Sequence, residues 1–350
     1  MILPSPLRTA VLWPAHEAFV TKRGLIDNER AMNRIASFGC FVLLTIAVLP
    51  RPLWAQFKED QGKGWRLGEA VVSKWQAGIV VKAVAGACRN MVGTAPLPRD
   101  WPEQQVEIVE EDFSPGVTVQ YRTVDNLVDQ MVVKIPSLPN GSEAHALVTV
   151  EVRRHVQLPP PDTTIFRITD KLPTDVRVFL GPSPKIESRD PKIMEQAKTL
   201  IAQGSNDWEK VRSIYNFVRE HVKYQSGAPL RGAVYALKEG VGDCEDMTSL
   251  FVALCRAAGV PARTVWVPGH CYGEFYLVDD EGRGYWFPCQ LAGSEAFGEM
   301  PDPRPILQKG DNFRSPVNSR ERVRYLAESL TGGGLGGEPQ VQFIRKQLAN

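Results

Sequence analysis

The apolar positions of the chain follow two periods, and the change from one to the other divides it. Between about Val106 and Leu180 they alternate with polar ones. Ala146, Val148, Val150 and Val152 take one side, Leu147, Thr149, Glu151 and Arg153 the other, and shorter runs of this kind occur at residues 117–121, 131–135, 165–168 and 176–180. Pro139-Asn140-Gly141 and Pro159-Pro160-Pro161 are among the turn-forming clusters between them. Period two broken by turn residues predicts half-buried strands, and about seven of them predict an antiparallel β-sandwich. Upstream, residues 71–90 read as a helix and residues 94–100 as a linker.

Past Gly181-Pro182-Ser183-Pro184 the apolar spacing lengthens to three and four. Asp190-Pro191 opens a helix carrying Ile193, Ala197, Leu200 and Ile201, which ends at Gly204. Asn206, with Glu209 three residues on, opens a second, whose core face is Trp208, Val211, Ile214, Tyr215, Val218 and Val222. Residues 230–240 suit a short helix. Met247, Leu250, Phe251, Leu254, Cys255 and Ala258 form the apolar face of another, closed by Gly259 and Pro261. Strand-like runs at residues 270–278 and 285–290 flank a turn at residues 279–284. Helices packed on an antiparallel sheet, preceded by an all-β sandwich-like region, make the fold class α+β. The divisions are residues 56–181 for the mostly β region, 182–300 for the helical core and 301–350 for a C-terminal extension. In that extension residues 331–337 read as flexible and residues 341–348 as a last strand or short helix.

Residues 35–49 are apolar, follow Arg30 and Arg34, and lead into Pro50-Arg51-Pro52-Leu53-Trp54-Ala55-Gln56. This is the order of a secretory signal, and the run is short for a membrane span. Met32 would give a compact start, so residues 1–31 read as an over-extended N-terminus and residues 32–55 as a signal peptide cleaved after Ala55, with an uncleaved anchor as the alternative. The expectation is export to the periplasm, cell envelope or exterior, with no stable membrane insertion unless the signal is retained. Forty-one Lys and Arg against 40 Asp and Glu leave a net charge of +1, and no basic run carries interleaved aromatics, so nucleic acid is not an expected partner. Loss of the signal leaves Cys88, Cys244, Cys255, Cys271 and Cys289, an odd number, so at least one thiol stays free. No C-x-x-C pair or His-rich cluster suggests zinc, and Asp279-Asp280-Glu281-Gly282 lacks calcium-loop spacing, so no metal or other cofactor is expected.

The chemistry concentrates in Gly242-Asp243-Cys244-Glu245-Asp246-Met247-Thr248. Cys244 lies one turn before Met247, at the positive end of a helix dipole, where free N–H groups lower a thiol's pKa and stabilise an oxyanion. Glu245 and Asp246 oppose that effect, so a basic partner is needed, and His270 opens the strand downstream. His16, His145, His155 and His221 read as structural or solvated, and Cys255 as a core hydrophobe. Tyr272, Glu274 and Tyr276 share the strand face of His270 and suit either a cleft or the core.

Gly242-Asp243-Cys244, Ala258-Gly259-Val260-Pro261-Ala262-Arg263 and His270, in this order, resemble the transglutaminase-like superfamily over roughly residues 184–290. The resemblance implies a papain-like core, a Cys244 nucleophile, a His270 base and no cofactor. It implies acyl transfer from a peptide or protein carboxamide, by hydrolysis or by crosslinking to an amine. The family usually has an Asp where this chain has Gln290. A Gln can orient an imidazole but cannot offset its charge, which leaves a catalytically silent binding module as the rival reading. The pairs 270 with 290 and 271 with 289 both centre on Asp280, which predicts His270 opposite Gln290 and Cys271 opposite Cys289. The second pair has two readings, a disulfide favoured by export or two reduced core thiols.

Overall fold

A computed structural model describes residues 62–227, 229–315, 318 and 320–349. The expectations for residues 1–31 and 32–55 lie outside the described residues. The β region contains β1 (Arg66–Lys82), β2 (Cys88–Leu97), β3 (Gln104–Phe113), β4 (Thr118–Val124), β5 (Val128–Leu138) and β6 (Glu143–Leu158). There is no helix over residues 71–90, because Val71, Val72, Ile79, Val80 and Val81 are β-branched and Ile79 and Val81 alternate inward as strand residues do. Nor is there a linker at residues 94–100, since Thr94, Ala95 and Leu97 are buried at the end of β2.

Two runs expected as strands take other forms. Residues 165–168 contribute one isolated bridge, Arg167 to Val278. Pro173 presets a helical entry for α1 (Thr174–Arg177), which continues into a 3-10 turn, Val178–Leu180. Next come α2 (Pro191–Ile201), α3 (Asp207–His221), β7 (Lys223–Tyr224), α4 (Ala233–Glu239), β8 (Val241–Gly242) and α5 (Cys244–Ala257). The caps fall where their residue types predict, with Asp190 accepting from the Lys192 N–H at 2.9 Å and Asn206 from the Glu209 N–H at 2.9 Å. The chain continues through β9 (Ala262–Val267), β10 (His270–Val278), β11 (Gly284–Gln290), β12 (Ala296–Phe297), β13 (Gln308–Lys309), β14 (Phe313–Arg314), β15 (Arg322–Val323), β16 (Ser329–Gly334) and β17 (Gln340–Gln347).

The segment 301–350 is more than an extension. β17 pairs with β1 in the sheet β17-β1-β6-β3, and β16 pairs with β2 in the sheet β16-β2-β5-β4. Among the described residues the sandwich therefore has eight strands, two of them from beyond the helical core. The glycines of residues 331–337 serve this pairing. At Gly332, whose φ is +98, an added Cβ would meet the Asn90 carbonyl oxygen at 2.5 Å.

A third sheet, in the helical core, has the order β12-β11-β10-β9-β13, and α5 packs across one of its faces. Trp208 fills the space beneath α3, with its ring 5.8, 5.6, 5.0 and 5.3 Å from those of Phe166, Phe275, Phe287 and Phe297. On the opposite face of β10, Glu274 meets Arg263 at 2.7 Å and Lys309 at 2.6 Å, and Lys309 also meets Glu103, just ahead of β3, at 2.7 Å. Burial raises the Glu274 pKa, but Lys309 and Arg263 outweigh it and hold the carboxyl at about 2. This buried cluster joins the sandwich to the sheet of the helical core. A second buried pair, Arg256 with Asp311 at 2.8 and 2.9 Å, ties the end of α5 to the segment after β13. Removing one partner of such a pair strands a buried charge, so Asp311→Ala should lower unfolding free energy by about 3–5 kcal/mol in a denaturant titration. A loss of less than about 1 kcal/mol, the scale of an exposed pair, would contradict that role.

Candidate active site

The turn into α5 is built from short-range contacts. Parallel pairing of β7 with β8 sets Tyr224 opposite Gly242. A Cβ on Gly242 would stand 2.5 Å from that of Asp246, so glycine permits the close approach. The Asp243 carboxylate caps the helix, accepting from the N–H groups of Glu245 at 2.8 Å and Asp246 at 3.1 Å. Asp246 in turn accepts from the N–H groups of Arg231 at 2.9 Å and Gly232 at 2.7 Å, which fixes the loop before α4 against the first turn of α5. Cys244 is thus the first helical residue. Among the described residues no acceptor takes its own N–H. The half-buried thiol sits where the dipole favours negative charge.

The register of β10 with β11 differs from the expected one. Gly273 faces Cys289 and Val278 faces Gly284, so Tyr272, two residues past His270, occupies the level of Gln290. The turn is centred one residue later than Asp280, because Asp279 closes it by accepting from the N–H groups of Glu281 and Arg283, each at 2.9 Å. A shift of two preserves the faces of a strand. His270 and Gln290 therefore still meet, diagonally, with Nε2 donating to Oε1 at 3.1 Å. Arg219 of α3 steadies Gln290 by donating to its backbone carbonyl at 3.0 Å and to that of Leu291 at 3.2 Å. The same shift separates Cys271 from Cys289, and both are free thiols, so the disulfide reading is wrong. Cys289 faces Gly273 and donates to its carbonyl oxygen at 3.5 Å.

Cys271 lies across from Trp266 on β9, on the face that α5 covers, with its sulfur 3.7 Å from the Thr248 hydroxyl. Thr248 is one turn beyond Cys244 on the same helix face. The Cys271 thiol and backbone N–H and the His270 ring are the neighbours that act on the Cys244 sulfur. The Cys271 thiol is the strongest of these influences; together with His270 it outweighs the opposing effect of burial and brings the Cys244 pKa down to about 4. Burial and the neighbouring Cys244 push the Cys271 thiol well above its ordinary value. Burial likewise raises Glu245 to about 7, against the pull of Arg324, whose guanidinium is 3.7 Å away.

Cys244, His270 and Gln290 are thus brought together, and Cys271, Tyr224 and Arg219 join them without having been expected there. Tyr224 stands exposed at the mouth, and burial followed by the charge of Cys244 raises its phenol pKa. Cys271 had one signal, its place beside the histidine. Tyr272 and Tyr276 are core residues, and Glu274 belongs to the buried ion cluster instead of a cleft. His145, His155 and His221 bond to Ser114 and Asp112, to the Gly68 carbonyl and to the Leu237 carbonyl, all away from the site. Among the described residues no group of three or more His, Cys, Asp or Glu is arranged to hold a metal, and no helix is long and apolar enough to cross a membrane.

Residues 195–291 match the model of the Transglutaminase-like superfamily. The chain is 26% identical over 186 residues to the Kyphoscoliosis peptidase of Mus musculus, a stretch that is 51% of this chain and 26% of that protein. It therefore spans about a quarter of that relative's length. A solved chain from Cytophaga hutchinsonii, described as a candidate cysteine protease, superposes with a TM-score of 0.54 at 18% identity, over 82% of this chain and 93% of that one. This is a likeness of fold.

The electrostatics make a direct prediction. Because the Cys244 pKa is depressed, its thiolate persists until the pH falls to about 4. Alkylation of Cys244 by iodoacetamide, followed by mass spectrometry, should therefore be near its plateau rate by pH 6. A rate still rising through pH 8.5, near the value of about 8.5 for an unperturbed thiol, would remove the assigned activation.

Proposed function

The chain carries a transglutaminase-like core, and from it we propose an exported cysteine-dependent hydrolase of peptide or amide bonds that works through a thioester on Cys244. The likenesses support a cysteine-dependent peptidase or transferase in general. The names of the mouse and Cytophaga relatives favour peptide hydrolysis within that class. The observation that carries the reading is His270 held between the Cys244 sulfur and Gln290 Oε1.

The Cys244 sulfur attacks the carbonyl carbon, and the Cys244 N–H receives the developing oxyanion. Gln290 accepts from Nε2, leaving Nδ1 to carry the proton from the thiol to the leaving amine as the C–N bond breaks. His270 then takes a proton from water, which adds to the thioester carbon, and the thiol departs. An amine in place of water gives a crosslink.

Cys244→Ala should abolish release of a fluorogenic group from a peptide amide library, and Gln290→Ala should lower kcat at least about tenfold, or about 1.4 kcal/mol. A Cys244→Ala protein as active as the parent refutes the mechanism, and undiminished turnover in Gln290→Ala refutes the orienting role. Incorporation of a dansylated amine into protein faster than hydrolysis would select crosslinking. A parent chain inert to both assays but retaining peptides would select the binding module, the reading favoured by the uncharged third residue. Export predicts a mature chain beginning after Ala55, and N-terminal sequencing of natively expressed protein that finds Met1 removes that part.

A further inference from the structure

Cys271 takes no part in the acyl-transfer steps, yet it is the buried thiol packed against the first turns of α5, where Cys244 lies. Its placement follows from two restraints. On β10 it pairs with Trp266 and turns toward α5, and its sulfur rests 3.7 Å from Thr248 Oγ1, on the helix face that carries Cys244 one turn earlier. In keeping with that placement, Cys271 is the strongest influence on the Cys244 thiol. The other described cysteines are placed differently. Cys289 turns to the Gly273 carbonyl oxygen, and Cys255 lies eleven residues along α5 from Cys244, about 16 Å at the rise of a helix. Cys88 belongs to the core of the sandwich.

We propose that Cys271 is a resolving thiol, which captures Cys244 after a peroxide has oxidised it and closes a reversible Cys244–Cys271 disulfide that stores the nucleophile in a protected form. This rests on the reading of Cys244 as the reactive thiol. Accessibility sets the order of events, since Cys244 is half-buried while Cys271 is fully enclosed. The Cys244 thiolate attacks one peroxide oxygen, the O–O bond breaks, and sulfur loses two electrons to give a sulfenic acid as the departing oxygen leaves as hydroxide and takes up a proton. Cys271 then gives up its proton and attacks the Cys244 sulfur. The S–S bond forms, the S–O bond breaks, and the oxygen leaves as water. Two thiols and one hydrogen peroxide thus yield one disulfide and two waters. Before oxidation, burial first and the neighbouring Cys244 second hold the Cys271 proton in place. Converting Cys244 to a neutral sulfenic acid removes the second of these, which eases the loss of that proton as the S–S bond forms.

The test is peptide mapping under non-reducing conditions after the purified full chain is treated with equimolar hydrogen peroxide. The expected result is a Cys244–Cys271 linkage, at least a tenfold loss of iodoacetamide labelling at Cys244, and full recovery of labelling with dithiothreitol. Cys289→Ala should form the same linkage. Given a second equivalent of peroxide, Cys271→Ala should instead carry Cys244 on to the sulfinic acid, which dithiothreitol does not recover. Sulfinic acid on Cys244 of the parent chain without a crosslink, or a crosslink from Cys244 to any other cysteine, overturns the proposal, whether or not Cys271→Ala folds. Because mapping reads sulfur bonds and not turnover, a linkage in a chain inactive on amides strikes only the proposed hydrolase. Amide hydrolysis in a chain that never forms the linkage strikes only this inference.

Discussion

A strand buried on both faces, with unlike requirements on each, cannot slide. β10 has that constraint, and the rest of the core is arranged to meet it. Cys271, Gly273, Phe275 and Leu277 turn to α5 and its apolar neighbours, while Tyr272 and Glu274 turn to Arg154, Arg263 and Lys309. A slip of one residue would push the Glu274 carboxylate under α5 and leave two cations facing a phenyl ring, an exchange that buried charge makes far more costly than a lost contact. The ion cluster therefore does more than bridge two sheets. It sets the level at which His270 leaves Gly269 and meets the start of α5, so the geometry around Cys244 is determined by groups on the far side of the sheet.

The same arrangement explains how a glutamine can stand third in line. A carboxylate in that position both aims the imidazole and offsets its charge. Here the thiolate is favoured by the helix start and by the neighbouring Cys271 in addition to His270. With stabilisation of the sulfur distributed in this way, the residue beyond His270 has orientation as its remaining task. Gln290, clamped through its own carbonyl by Arg219, is suited to that.

Much of the helical core was legible in the sequence, because its signals are local. Asp190 and Asn206 announce α2 and α3 by their own side chains, and Gly242-Asp243 announces the turn into α5. The meeting of His270 with Gln290 was legible too, although for a reason that tolerated error. Alternation fixes faces and not levels, so a two-residue error in register kept that pair and lost the pairing of Cys271 with Cys289. Alternation also assigned Cys271 to the face opposite His270 without revealing that α5, and Cys244 with it, covers that face. The sandwich was harder to read. The apolar run of β1 is long enough to suggest a helix although its β-branched residues favour a strand, the prolines at the end of β2 suggest a linker, and α1 follows a proline that a strand pattern ignores. The partners of β16 and β17 lie too far upstream for any window of sequence to join them.

That distance also orders the birth of the protein. Trp75 pairs with Gln347 and Lys82 with Gln340, and Cys88 pairs with Gly334, so neither sheet of the sandwich is finished until the last of these strands has left the ribosome. The helical core between them is made earlier and depends largely on near neighbours, so it can settle while β1 and β2 still wait with an open side. Until then the nascent chain displays the open edges of those two strands, the kind of surface that attracts both chaperones and unwanted copies of itself.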